Sequence, residues 1–174
     1  LGGPLGAGAL WVRPGLRLEP LVHGGHQERN RRGGTENVLA AVGFSAAASA
    51  GVIDLHHEAQ RLRSLRDHLW TAFEGIEGVH RIGGHAHALP NTLHVAFEGV
   101  EAETLLMALD IEGISASAGS ACTAGSLEAS HVLLAMGIEK TLAQSAIRFS
   151  MGWATTEAEV AYAVETVPQL IHRM

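Results

Sequence analysis

From residue 92 onward the chain keeps switching between two periods, and this limits its fold more than any other feature. Thr92–Glu98, TLHVAFE, alternates Leu93, Val95 and Phe97 against Thr92, His94, Ala96 and Glu98, the period of a half-buried strand. EAETLLMALD, 101–110, then reads as a short helix and ISASA, 114–118, as a strand. Leu127–Met136 reads as a helix closed by Gly137, and AIRFS, 146–150, as another strand. A terminal helix is predicted over Thr156–His172. Thr156 and Glu159 have capping-box spacing, Val160, Val164, Val167 and Ile171 make its inner face, and Pro168 marks a kink. Strand and helix alternating in this way predict an α/β domain with helices laid over a small sheet.

The first half reads differently. Leu62, Leu65, Leu69 and Phe73 recur at spacings of three and four, giving a helix over Leu55–Phe73 with Arg61, Arg63 and Arg66 on its polar remainder. Thr35–Val52 is alanine-rich and apolar on most sides, so it should be a well-covered helix. Residues 14–34 look irregular. Ala9–Arg13, ALWVR, reads as a strand, but no partner lies nearby in sequence, so its sheet must be completed by other chain. No internal repeat or long polar linker interrupts the sequence.

With 174 residues and 47% apolar content, the chain can build one substantial core. It has no run of 18 apolar residues, and its first residues lack the basic region of a signal peptide. A formal charge of −6 is a poor match for direct nucleic-acid binding, although Arg29, Arg31 and Arg32 form a local basic patch. The single cysteine excludes an internal disulfide framework and fits a reducing, cytoplasmic setting.

That cysteine, Cys122, sits in SAGSACTAGS. Three readings compete: metal ligand, inert core residue and nucleophile. A metal site lacks convergent ligands, since the histidines show neither H-E-x-x-H nor an i, i+4 pair, and His23/His26 and His85/His87 are isolated pairs. An inert core cysteine is the common case. Against it, Ser115, Ser117, Ser120 and Thr123 are polar and Gly119 and Gly125 suggest a loop, which can present a thiol and offer N–H groups that lower its pKa. No spacing rule pairs Cys122 with His131, nine residues on. Arg148 interrupts the apolar strand AIRFS, where a guanidinium needs an anionic partner or an exit to solvent. GGPLGAG has the glycines of a phosphate cradle but neither a P-loop lysine nor the G-x-G-x-x-G pattern.

Five blocks, in order, resemble the carboxyl-terminal half of the cysteine desulfurases of the NifS/IscS kind. They are GGPLGAGALWVR, HGGHQERNRRGGTENVLAAVGF, LPNTLHVAFEGVEAETLLMALD, SAGSACTAGSLEASHVLLAMG and IRFSMGWATTEAEV, and they cover nearly the whole chain. The resemblance implies the aspartate aminotransferase-like α/β fold, type I of the pyridoxal-phosphate enzymes. Residues 1–50 would be the end of the large cofactor-binding domain with a linking helix, and 51–174 the small domain carrying the cysteine loop. It implies a homodimer that converts L-cysteine to L-alanine and holds the sulfur as a persulfide on Cys122. The cofactor, pyridoxal 5'-phosphate, would act as electron sink, and a mobile loop would let the thiol collect sulfur and hand it on. Arg148 matches the arginine that holds the substrate carboxylate, for which a bidentate fork is suited. Thr35 matches the threonine that reaches the cofactor phosphate of the other subunit. Arg32 would brace its loop, and Asn91, in LPNT, is expected to be structural. No metal is implied. The sulfur acceptor would be a protein such as an iron–sulfur scaffold, with neither nucleic acid nor membrane as a direct partner.

The sequence departs from the family in small ways: Gly24-Gly25-His26-Gln27-Glu28 where GGGQE is usual, Gly33 where serine is frequent, and Ala129 where proline is common. The family's Schiff-base lysine lies in a Ser-x-His-Lys stretch just before the segment matched by Leu1. The resemblance therefore implies roughly 200 further residues upstream, the size of a domain, and little turnover by these residues alone. Selenocysteine lyase or C–S lyase chemistry on the same scaffold stays open, as does a non-catalytic half-protein module.

Overall fold

The computed structural model describes residues 2–83, 88–118 and 129–174. Two compact units result, Leu1–Leu55 and His56–Met174.

The first unit holds α1 (Gln27–Asn30) and α2 (Val38–Ile53). Ala9–Arg13 is not a strand. No strand lies beside it among the described residues, so its backbone has no ladder to join, and Leu10 and Trp11 are exposed. α1 is a turn rather than a regular helix: Glu28, Arg29 and Asn30 all have positive φ, from 49° to 64°. α2 begins three residues later than expected because Asn37 caps it, its side chain accepting from Ala40 N–H at 3.1 Å. The expectation that this helix is well covered does not hold within this chain. Only Ala40 is buried, while Val38, Leu39, Val42, Val52 and Ile53 are exposed. A helix apolar on all sides needs cover on all sides, and the 55 residues of this unit supply it on one.

The second unit runs α3 (Leu55–Phe73, counted from His56), β1 (Val79–Arg81), β2 (Thr92–Phe97), α4 (Ala102–Ile111), β3 (Ser117–Ala118), α5 (His131–Ala135), α6 (Lys140–Gln144), β4 (Ala146–Ser150) and α7 (Glu157–Arg173). The sheet order is β1-β2-β4-β3, with every neighbouring pair antiparallel. One face of the sheet packs on the long helices. Leu62, Leu65, Leu69 and Phe73 of α3 are all buried, as their spacing required, and they meet Leu93, Val95, Phe97, Ile147 and Phe149 from the strands. Phe73 lies edge-on to Phe97 at 5.8 Å and tilted against Phe149 at 5.7 Å, so one ring ties α3 to both central strands. α4 adds Leu105 and Leu109, and α7 adds Val160, Ala163, Val167 and Leu170. The inner face of α7 is thus one step rotated from the expected one, with Val164 and Ile171 at its margin. Its capping box is present, Thr156 and Glu159 each bonding the other's backbone N–H.

Arg66, assigned to the polar side of α3, is buried. Its guanidinium donates to Asp67 at 2.7 Å and to the Leu89 carbonyl at 3.1 Å, which offsets the loss of water. β2 is not half-buried, because the second face is covered at one end. Ala96 packs there with Ile82, Leu133, Ala143 and Ala146 beneath α5 and α6. α5 is shorter than the expected Leu127–Met136 helix, and Leu127 and Glu128 lie outside the described residues. Its end does turn at Gly137, whose φ of 82° favours glycine.

Candidate active site

The second face of the sheet changes character along its strands. Beyond Ala96 and Ala146 it becomes polar. β2 and β4 pair with His94 opposite Arg148, and β3 and β4 with Ser117 opposite Arg148. Directly opposed residues in antiparallel strands project to the same face. Three strands therefore bring His94, Arg148 and Ser117 into one row, although they lie far apart in sequence.

This row contains unmet hydrogen-bonding capacity. Arg148 Nε and His94 Nε2 are buried, and neither has a partner among the described residues. No carboxylate among those residues reaches Arg148 within ion-pair distance. Burial, followed by the positive charge of Arg148, holds His94 below its ordinary pKa of 6.5, which favours the neutral imidazole. A buried guanidinium N–H without an acceptor costs stability. Its natural complement is a small anion, and a carboxylate matches the geometry of the guanidinium.

The surrounding segments are fixed by bonds that use other polar side chains. Asn91 joins the start of β2 to the end of β4: its Nδ2 donates to the Met151 carbonyl at 3.1 Å, and Met151 N–H returns a bond to its carbonyl at 2.9 Å. Arg61 holds the turn after β4, donating to the carbonyls of Thr155 at 2.7 Å and Gly152 at 3.1 Å while paired with Glu58. The hydrogen bond from Arg61 lowers the Glu58 pKa. Sequence reasoning gave Arg61 no role; a lone arginine on a helix carries no sign that a distant turn needs its donors. A cleft of about 580 Å³ opens between α3, α7 and the end of β4, bordered by Leu69, Phe149, Met151 and Tyr162. It belongs to the packed face and has no unpartnered buried polar group among the described residues, so it lacks the row's demand for an anion.

Of the predicted site residues, Arg148 is central to this row. β3 leads from Ser117 toward Cys122, five residues on, but Cys122 lies outside the described residues. His131, the first residue of α5, is exposed, and His85 and His87 also lie outside the described residues. No group of three metal-binding side chains occurs among the described residues. In the first unit, Thr35 is exposed at the end of a glycine loop. A Cβ on Gly33 would come within 2.8 Å of the His23–Gly24 backbone, so only glycine allows the two segments to touch. Gly33 N–H donates to the Val22 carbonyl at 2.7 Å, and Arg32 braces the same loop through the Gly34 carbonyl.

The chain belongs to the aminotransferase class-V family, whose model matches residues 1–162. Within that family it resembles the cysteine desulfurases of the NifS/IscS kind. It is 46% identical over 172 residues to a cysteine desulfurase of Gluconacetobacter diazotrophicus, covering 98% of this chain and 43% of the relative. It is 40% identical over 173 residues to the cysteine desulfurase IscS of Dictyoglomus turgidum, covering 99% and 44%. The solved structure of a NifS-like protein matches 94% of this chain and 42% of its own, with a TM-score of 0.81 and 35% identity. The fold is accordingly the α/β type I fold of the pyridoxal-phosphate enzymes. The chain spans less than half the length of the curated relatives it matches. No single helix among the described residues is long and apolar enough to cross a membrane.

Proposed function

We propose that this chain is the carboxyl-terminal part of a homodimeric, pyridoxal-phosphate-dependent cysteine desulfurase. It converts L-cysteine to L-alanine and passes the sulfur to an acceptor protein such as an iron–sulfur scaffold in the cytoplasm. Residues 1–50 belong to the large domain and 51–174 to the small one. The observation that carries the reading is the buried Arg148 Nε, which has no partner among the described residues and lies opposite the strand that leads into the Cys122 segment. Similarity to cysteine desulfurases along nearly the whole chain supports it.

In this reading Arg148 binds the substrate carboxylate, which supplies the acceptor that its Nε–H lacks and fixes the amino acid by one end. The Cys122 thiolate then forms an S–S bond to the substrate sulfur. The C–S bond breaks with its electron pair left on carbon, and a proton taken there completes L-alanine. When bound, the pyridoxal ring supplies the electron sink for this charge. Thr35 fits the cofactor phosphate: an exposed hydroxyl on a loop pinned by Gly33 is a neutral donor already held in place.

The test uses the full-length protein with cofactor. Incubation with L-cysteine should yield alanine and a trappable persulfide on Cys122, and Cys122→Ser should abolish both. Sulfide released together with pyruvate and ammonia in Cys122→Ser, with no persulfide, would replace this reading with a simple β-eliminating lyase.

A further inference from the structure

We infer that His94 is a second donor to the anion held by Arg148, so that the two side chains form one carboxylate receptor whose affinity is linked to proton uptake. The inference rests on the reading of Arg148 as a carboxylate site and adds to it a residue that no sequence motif singles out.

The geometry comes from strand pairing. His94 and Arg148 are directly opposed on β2 and β4, where side chains are neighbours on one face. Each has a buried nitrogen without a partner among the described residues, and both lie in the same polar row. Two buried groups left unmet side by side share one demand. An arginine facing a carboxylate needs nothing further, but an orphaned Arg148 Nε–H beside an imidazole nitrogen that donates once it is protonated can both be met by one oxygen acceptor. A carboxylate offers two oxygens, each able to accept more than one bond.

The charges around His94 make the linkage specific. From β4 it faces Arg148, and β3 contributes the neutral Ser117 to this row. From β1, His80 lies on the same face, opposite Ala96, and pairs with Glu98 at 3.3 Å. α5 and α6 present Leu133, Leu142 and Ala143, while His131, Glu139 and Lys140 are exposed. Among the described residues Arg148 is therefore the charge that acts on His94, adding to burial in opposing its protonation. A bound carboxylate neutralises that charge and accepts from the imidazolium. Binding then raises the pKa of His94, and by linkage affinity rises as pH falls through it. Between the two pKa values, one carboxylate binds together with part of a proton, which passes from the buffer acid to the imidazole nitrogen as an N–H bond.

Propanoate, which has the carboxylate but neither amine nor thiol, serves as the probe on the full-length cofactor-loaded protein. Calorimetry in buffers of different ionisation enthalpy counts protons taken up per propanoate bound between pH 5.5 and 7. The wild-type protein should take up a measurable fraction of a proton. His94→Asn, which keeps an N–H donor but cannot titrate, should bind propanoate with no uptake. His94→Leu should bind about tenfold more weakly, as expected for loss of one hydrogen bond to a charged group. Absence of binding, absence of uptake by the wild-type protein, or equal uptake in His94→Asn would each overturn the inference, and the wild-type measurement holds even if a variant fails to fold. Persulfide formation measured alongside separates the two readings. Uptake that depends on His94 without persulfide would leave this inference standing and remove the desulfurase reading, and persulfide without such uptake would do the reverse.

Discussion

The two faces of the four-stranded sheet are built from the same strands and do opposite things. On one, Phe73, Phe97 and Phe149 interlock among leucines and valines, and no buried polar side-chain atom among the described residues is left unmet. On the other, an apolar cluster under α5 and α6 gives way to His94 and Arg148, whose buried nitrogens have no partner among the described residues. Alternation along β2 and β4 makes this division automatic: each strand sends every second residue to each side. A fold can therefore concentrate its stability on one face and keep unspent binding capacity on the other.

Truncation should separate the faces most sharply. Phe73→Ala removes the ring that joins α3 to both central strands and should cost about 3–5 kcal/mol of stability, measured by denaturant unfolding. Arg148→Leu, on the opposite face, should leave stability unchanged or raise it by about 1 kcal/mol, since it removes a buried N–H that has no acceptor among the described residues. The same substitution should weaken propanoate binding by on the order of a hundredfold, the loss of charge-assisted bonds. If Arg148→Leu destabilises the protein as much as Phe73→Ala does, Arg148 is structural and the contrast between the faces collapses.

The packed face was largely legible in the sequence, because a periodic stripe reports directly on a buried surface. Leu62, Leu65, Leu69 and Phe73 gave α3 its exact bounds, and AIRFS gave β4 its own. The elements that went unseen are short. VHR in β1 and KTLAQ in α6 hold three and five residues, too few to show a period, and each depends on tertiary partners. Ala9–Arg13 failed for the complementary reason: an apolar run becomes a strand only beside another strand. The polar row was half legible. Arg148 stood out as a charge inside an apolar strand, whereas His94 sat in the polar phase of β2 and looked solvated. Only the pairing register brings them together, and register depends on two strands at once. Cys122 and Thr35 were singled out by resemblance to a family, since spacing alone left the cysteine with three competing readings.

The pH response sharpens the comparison at a smaller scale. His94 is held below its ordinary pKa of 6.5, so over that interval the unfolded chain binds more protons than the folded one. Its contribution to stability is complete above about 6.5 and is lost as pH falls through the lowered value. A thermal midpoint followed from pH 7.5 to 5 should decline more steeply in the wild-type protein than in His94→Asn. Saturating propanoate should remove the difference, because the anion makes the protonated imidazole acceptable in the fold. A decline equally steep in both proteins would assign it to other groups.

The smallest expected effect belongs to the packed face alone. Thr156 caps α7 by accepting from Glu159 N–H at 3.2 Å, while the Glu159 carboxylate accepts from Thr156 N–H at 2.7 Å. The bond from the Thr156 N–H, followed by one that the Thr156 hydroxyl donates to the same carboxylate at 2.8 Å, lowers the Glu159 pKa. The carboxylate's contribution is therefore present above its ordinary value of 4.5 and lost on acidification through the lowered one. Thr156→Ala should cost about 1 kcal/mol, seen as a lower denaturation midpoint with an unchanged denaturant slope. Propanoate affinity should not move, because α7 contributes its buried residues to the packed core rather than to the polar row. A matching loss of propanoate affinity would mean that the cap also holds the Arg148 site in place, and that the two faces are mechanically coupled through β4.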